Sequence, residues 1–215
     1  MTASITRAEA GAVSPRNLVY LDEHLQKYID AGKLPGTITA VYRAGQLAHW
    51  SVQGLMDRES RKPMRDDTIF RIYSMTKPIV SVALMQLYER GLVQVDDPVH
   101  RYISSWANLR VYQMGVYPNF ETTACERPMT VRDLLSHQSG LTYGHAIRTN
   151  VDAAYRALGI GAEGTPTLQA MVDAFAELPL EFSPGTHWNY SHSTDIVGYL
   201  VEVISGQRLD TYLQE

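Results

Sequence analysis

Phe70-Arg71-Ile72-Tyr73-Ser74-Met75-Thr76-Lys77-Pro78, running on into Ile79 to Gly91, is the stretch whose reading decides the fold. Ile79, Val80, Val82, Ala83, Leu84, Met85 and Leu87 are apolar around nearly the whole helical circumference, the pattern of a helix buried on all sides. Pro78 fixes where that helix begins. Proline lacks an N–H and clashes with the carbonyl four residues back, so it is tolerated only in the first turn. Ser74 therefore falls at or beside the N-cap, and Lys77 falls in the first turn. Residues three apart share a helix face, so the Lys77 amine can reach the Ser74 hydroxyl. A buried ammonium tends to lose its proton, and a neutral amine beside an alcohol is a general base beside a nucleophile.

The rest of the chain bounds what that pair can belong to. At 215 residues it can bury a substantial core in one domain. A net charge of −4 provides no basic field for nucleic acid. Cys125 is the single cysteine, so neither a disulfide framework nor a Cys/His metal spacing is present. No apolar run approaches the ~20 residues of a membrane span, and Met1 to Arg16 lacks the apolar segment of a secretory signal. The expectation is a soluble, cytoplasmic protein that uses no metal or cofactor and binds neither nucleic acid nor membrane.

Outward from the helix, residues 1–17 read as a loose leader to a domain over 18–215. Leu18, Leu21, Leu25, Tyr28 and Ile29 recur at helical spacing until Gly32 and Pro35-Gly36. Thr37 to Tyr42 and Leu47 to Val52 read as a hairpin turned at Arg43-Ala44-Gly45-Gln46. Residues 107–128 and 142–166 read as irregular and loop-rich. Between them Thr130-Val131-Arg132-Asp133 opens a short helix with a capping box, followed by Ser136-His137-Gln138-Ser139-Gly140-Leu141. Thr167 to Leu178 is an amphipathic helix, and Ile196, Val197, Leu200, Val203 and Ile204 mark another that stops at Gly206. Leu209, Tyr212 and Leu213 begin a further helical pattern. With one legible hairpin the sheet looks unfinished, since two strands alone are marginal.

Ser74-x-x-Lys77 is the S-x-x-K of acyl-serine enzymes, and a second candidate joins it. Tyr190-Ser191-His192 follows the Pro184-Gly185 turn and leads into a long apolar helix, which neither Tyr117-Pro118-Asn119 nor Tyr143-Gly144-His145 does. A phenol near a lysine can share its proton and return it to a leaving group. His192 reads either as a substrate hydrogen-bonding group or as a polar helix-start residue, and Tyr143 and Trp188 are candidate pocket walls. His137 and Ser139 read as loop-shaping residues. A Ser-His-Asp triad is disfavoured because no G-x-S-x-G elbow is present.

These residues together resemble the serine β-lactamase and penicillin-binding-protein superfamily, in the branch holding class C β-lactamases and family VIII carboxylesterases. The similarity runs from about Leu18 to Glu215 and rests on Phe70 to Lys77, Glu89-Arg90-Gly91-Leu92, Asp96-Asp97-Pro98, Leu134 to Leu141, Ser183-Pro184-Gly185 and Tyr190-Ser191-His192. It implies an α/β (α+β) fold with a helical region and an antiparallel sheet. It also implies Ser74 as nucleophile, Lys77 as its base and Tyr190 as partner in proton transfer. The backbone N–H of Ser74 would be one oxyanion donor.

Two departures direct the reading. His192 stands where class C enzymes and peptidases usually carry an Asn that grips the substrate amide, which favours a small-molecule ester over a β-lactam. The family's third motif, a K-T-G, H-x-G or W-x-G triplet on a later strand, is missing. The chain thus reads as the N-terminal half to two-thirds of such a protein, one that a complementing C-terminal segment would complete. The expectation is a carboxylesterase. The alternatives are a β-lactamase or D-alanyl-D-alanine peptidase, and, in another class, a non-catalytic acyl-binding domain or inactive fragment.

Overall fold

The chain divides at Arg71 into two units, Met1–Arg71 and Ile72–Glu215, and the structure, a computed structural model, describes residues 3–6, 13–160 and 167–215. The division thus falls at residues 71/72, whereas the sequence suggests a leader ending at residue 17. Within that stretch Ala3–Thr6 forms strand β1, and helix α1 (Pro15–Asp30) begins with proline in its first turn, where the missing N–H has no intrahelical partner to lose. The remaining leader residues, 1–2 and 7–12, lie outside the described residues.

The first unit is an antiparallel sheet with α1 tied to it. Strands β2 (Gly36–Arg43) and β3 (Gln46–Asp57) form the expected hairpin. Its two central residues, Ala44 at φ 49° and Gly45 at φ 72°, both adopt the left-handed conformation that a tight two-residue hairpin requires. β1 pairs with the other edge of β3, giving the order β1-β3-β2, and the short β4 (Lys62–Pro63) pairs with β3 as well. On α1, Leu18 is buried, while Leu21, Leu25 and Ile29 are half-buried. Asp22 accepts a hydrogen bond from Gln53 Nε2 at its carbonyl (3.2 Å), and its carboxylate lies 2.9 Å from His49 Nε2, fixing the helix to β3.

The second unit is mainly helical. A 3₁₀ turn, Tyr73–Met75, leads directly into α2 (Thr76–Glu89). Strands β5 (Arg110–Val116) and β6 (Asn119–Ala124) follow, then α3 (Val131–Leu135), α4 (Asn150–Ala157), α5 (Leu168–Ala176), α6 (Ser193–Ser205) and α7 (Leu209–Tyr212). Ile196, Val197, Leu200 and Val201 of α6 share one core with Val80, Ala83, Leu84 and Leu87 of α2, Val131 and Leu134 of α3, and Met171, Val172 and Phe175 of α5. Each fully buried Leu or Ile of this set removes apolar surface worth roughly 1.5–3 kcal/mol from water.

Three expectations need correction here. Helix α2 is not sunk on all sides: Val80, Ala83, Leu84 and Leu87 are buried, but Ile79 is 47% and Val82 59% exposed. Apolar residues around the whole circumference report what the helix tolerates, not which neighbours it has. Residues 107–128 are not irregular throughout, because β5 and β6 pair antiparallel across Tyr117-Pro118. A register shift between Tyr112 and Met114 breaks the strict alternation that would betray a strand. Residues 142–166 hold helix α4, opened by a capping box in which Thr149 and Asp152 satisfy each other's backbone N–H groups. The same device at Thr130 and Asp133 opens α3 as expected.

Asp133 also anchors this region through charge. Both its oxygens accept from the Arg127 guanidinium, at 2.7 and 2.8 Å. Burial pushes its carboxyl up, but the hydrogen bonds from Arg127 and Thr130 outweigh that and hold it below the usual carboxylate value. Among the described residues no helix is long and apolar enough to cross a membrane.

Candidate active site

Ser74 sits in the 3₁₀ turn, one residue before the Met75 N-cap of α2, and Lys77 lies in the first helical turn. Their order follows from Pro78: the ring is accepted where the helix starts, so the residues before it supply the turn and the first-turn side chains. Lys77 Nζ donates to Ser74 Oγ at 3.2 Å. Lys77 is half-buried and Ser74 exposed, so the deep burial expected for the lysine is absent.

Tyr190 comes from 116 residues further along the chain, and its hydroxyl lies 2.8 Å from Ser74 Oγ. Two stretches carry it there, running side by side and laced by main-chain bonds. Glu181 N donates to Gly140 O (2.7 Å), Gly185 N to Gln138 O (2.8 Å), Asn189 N to His137 O (2.9 Å) and His192 N to Thr142 O (3.3 Å). Gly140 permits this approach. At φ 84° it takes a conformation that favours glycine, and a Cβ there would fall 2.3 Å from Phe182 O. The Ser136–Thr142 turn is therefore the bed on which the tyrosine segment lies.

The Lys77 ammonium also stands 4.8 Å from the centroid of the Tyr190 ring. Hydrogen bonding to Lys77 and to Ser74 draws the Tyr190 phenol below its ordinary value, against the opposing effect of burial. Ser74, Lys77 and Tyr190 thus form one contiguous cluster: an alcohol touching both an amine and an acidified phenol. Such a cluster can take a proton from the alcohol and hand one to a departing group.

The other expected site residues divide. His192 is buried at the N-cap of α6, with Nδ1 3.0 Å from Asp195 Oδ2 and its ring 4.6 Å from that of Tyr143. Tyr143 in turn meets the edge of Tyr190 at 5.9 Å. Both His192 and Tyr143 line a cavity of about 760 Å³ that they share with Ser74, Lys77, Leu168 and Met171. Trp188 does not join them: it is 65% exposed, packs edge-on against His137 and is not part of that cavity's lining. The decoy Tyr117 is exposed in the β5–β6 turn. Asp195, one helical turn beyond His192, lines the same cavity and has no signature in the sequence beyond that spacing. No group of three or more His, Cys, Asp or Glu side chains that could hold a metal ion occurs among the described residues.

The family model described as beta-lactamase matches residues 21–215. The chain belongs to the beta-lactamase family. Its curated relatives include Esterase EstB from Burkholderia gladioli, 34% identical over 196 residues, a match covering 88% of this chain and 46% of EstB. Among solved structures it resembles EstCE1, described as a hydrolase with promiscuous acyltransferase activity, at a TM-score of 0.77 and 26% identity over 92% of this chain and 49% of EstCE1. It also resembles LovD, the simvastatin synthase of Aspergillus terreus, at a TM-score of 0.70 and 27% identity over 92% of this chain and 49% of LovD. The fold is accordingly β-lactamase/transpeptidase-like, with helices and antiparallel sheets. The chain spans about half the length of the relatives it matches.

Proposed function

We propose that the chain carries the acyl-serine chemistry of a carboxylesterase. The observation that supports this most directly is Ser74 Oγ in contact with both Lys77 Nζ and Tyr190 OH. Ser74 Oγ attacks the ester carbonyl carbon, and its proton passes to the Lys77–Tyr190 pair. Of the two, Tyr190 is the better placed to accept it as phenolate, with the Lys77 charge beside it. The tetrahedral intermediate collapses, the C–O bond to the alcohol breaks, and Tyr190 O–H protonates the departing alkoxide. Water then attacks the acyl-Ser74 carbonyl, its proton taking the same route, and the carboxylic acid leaves. No cofactor enters these steps.

Leu168 and Met171 give the cavity an apolar wall for a short acyl chain, while Tyr143 and His192 give it an aromatic and polar one. His192 in place of an amide-gripping Asn favours esters over β-lactams. Comparing p-nitrophenyl butyrate with nitrocefin tests this: faster turnover of the ester is expected, and faster turnover of nitrocefin would reverse the assignment.

The exposed apolar face of α2, with Ile79 and Val82, supports a further part of this reading. A segment equivalent to the half of EstB that has no counterpart in these 215 residues covers that face and supplies the second oxyanion donor, a contribution of ~10²–10³ in rate. Fluorophosphonate labelling of Ser74 in the 215-residue chain is then expected to be slow. A rate equal to that of EstB would overturn the need for such a segment.

A further inference from the structure

We propose that His137 is a positioning residue for the proton-transfer step: its imidazole, laid against the Tyr190 ring and tied to Ser191, holds the phenol on Ser74. This rests on the reading of Tyr190 as the proton-transfer partner of Ser74. Three independent observations carry it. The His137 and Tyr190 rings lie 5.0 Å apart at 31°, closer to stacking than to an edge contact. His137 Nδ1 lies 3.3 Å from Ser191 Oγ, the residue next to Tyr190. And His137 is held at φ 57°, a left-handed conformation that costs a non-glycine residue energy and persists only where the surroundings impose it.

The tie to Ser191 belongs to a buried chain of hydroxyls. Ser191 Oγ lies 2.8 Å from Ser193 Oγ, and Ser193 Oγ lies 2.8 Å from Ser139 Oγ. Ser139 Oγ accepts from Leu141 N (3.2 Å). With that lone pair used, each hydroxyl can donate to the next, Ser139 to Ser193 to Ser191, and the last donates to His137 Nδ1. The imidazole is then neutral with its proton on Nε2. A second proton on His137 would turn Nδ1 into a donor to Ser191 Oγ and place a cation near Lys77. Burial and the Lys77 charge both hold the His137 imidazole below its ordinary value, in keeping with this arrangement. The titratable groups around the phenol are thus Lys77 from α2, His137 from the turn after α3, Tyr143, and Asp195 from α6. His137 alone both stacks on the ring and is bonded to its neighbour in sequence.

Substituting His137 separates ring from backbone. His137→Asn keeps a residue tolerant of the left-handed conformation and removes the ring; His137→Phe keeps an aromatic ring. The readout is the titration of ¹³Cζ-labelled tyrosine by NMR in the substrate-free chain, with the Tyr190 signal assigned by its loss in Tyr190→Phe. In the unmodified chain the Tyr190 midpoint is expected below those of the exposed tyrosines. His137→Asn is expected to raise it by about half a pH unit or more, as the phenol loosens from Lys77 and Ser74, and His137→Phe to raise it less. An unchanged midpoint in His137→Asn would overturn the proposal and leave His137 a turn residue. So would a rise in His137→Phe as large as full return to the exposed-tyrosine value, so either variant decides the matter if the other fails to fold. Because the signal follows the phenol and not turnover, it can fail while Ser74 remains the nucleophile, and the reverse.

Discussion

Replacing Tyr190 with Phe is expected to slow acylation of Ser74 by about 10²–10⁴-fold, the range for loss of a positioned acid–base group. The substitution leaves the ring, its stack on His137 and its edge contact with Tyr143 in place, and removes only the hydroxyl 2.8 Å from Ser74 Oγ. The pH profile carries the sharper prediction. A phenol drawn below its ordinary value is ionised over a wider range, and as a base it works in the ionised form. The rate should therefore rise with pH through a midpoint below about 10, the ordinary tyrosine value, and level off above it. In Tyr190→Phe that limb should vanish. Acylation rates of both proteins between pH 6 and about pH 10 check this, and an unaltered limb in the variant would remove Tyr190 from proton transfer.

The largest effect is expected at Ser74. Ser74→Ala removes the only oxygen in contact with both Lys77 and Tyr190 among the described residues and should reduce ester hydrolysis by about 10⁴-fold or more, as loss of a covalent nucleophile does. The side chain is exposed, so thermal stability should stay within about 0.5 kcal/mol, the range of ordinary surface substitutions. Hydrolysis of p-nitrophenyl butyrate together with a melting curve separates the two effects. Unchanged hydrolysis would exclude Ser74 as nucleophile.

The site was legible in the sequence to the extent that local rules place its members. Pro78 fixes the helix start, so the Ser74–Lys77 spacing translates directly into a contact. Tyr190 is distinguished from Tyr117 and Tyr143 by the Pro-Gly turn before it and the apolar helix after it. What local rules do not carry is the lacing of residues 137–142 to 181–192, which is made of backbone N–H and C=O groups that every sequence has. The roles of His137, Ser139, Ser191 and Ser193 depend on that lacing, which is why His137 reads as a mere turn residue. Trp188 shows the converse: it is close in sequence to Tyr190, yet faces solvent.

The fold follows the same division. Helices with caps or stops (α1, α3, α5 and α6) are legible because Gly32, Thr130, Thr167 and Gly206 mark one of their ends. The β5–β6 hairpin is not, since its register shift at Tyr112–Met114 erases the two-residue period. The burial of α2 is misjudged for a different reason. Periodicity reports the chemistry of a face, and the exposure of Ile79 and Val82 depends on what lies opposite.

The most direct test is where a fluorophosphonate attaches. The 215-residue chain is incubated with the reagent, and the adduct is counted by intact mass and located by peptide mapping, with Ser74→Ala alongside. A single adduct on Ser74, absent from the variant, is the expected result. An adduct on another serine, or none after prolonged exposure, would contradict the assignment of Ser74, Lys77 and Tyr190 as acylation machinery.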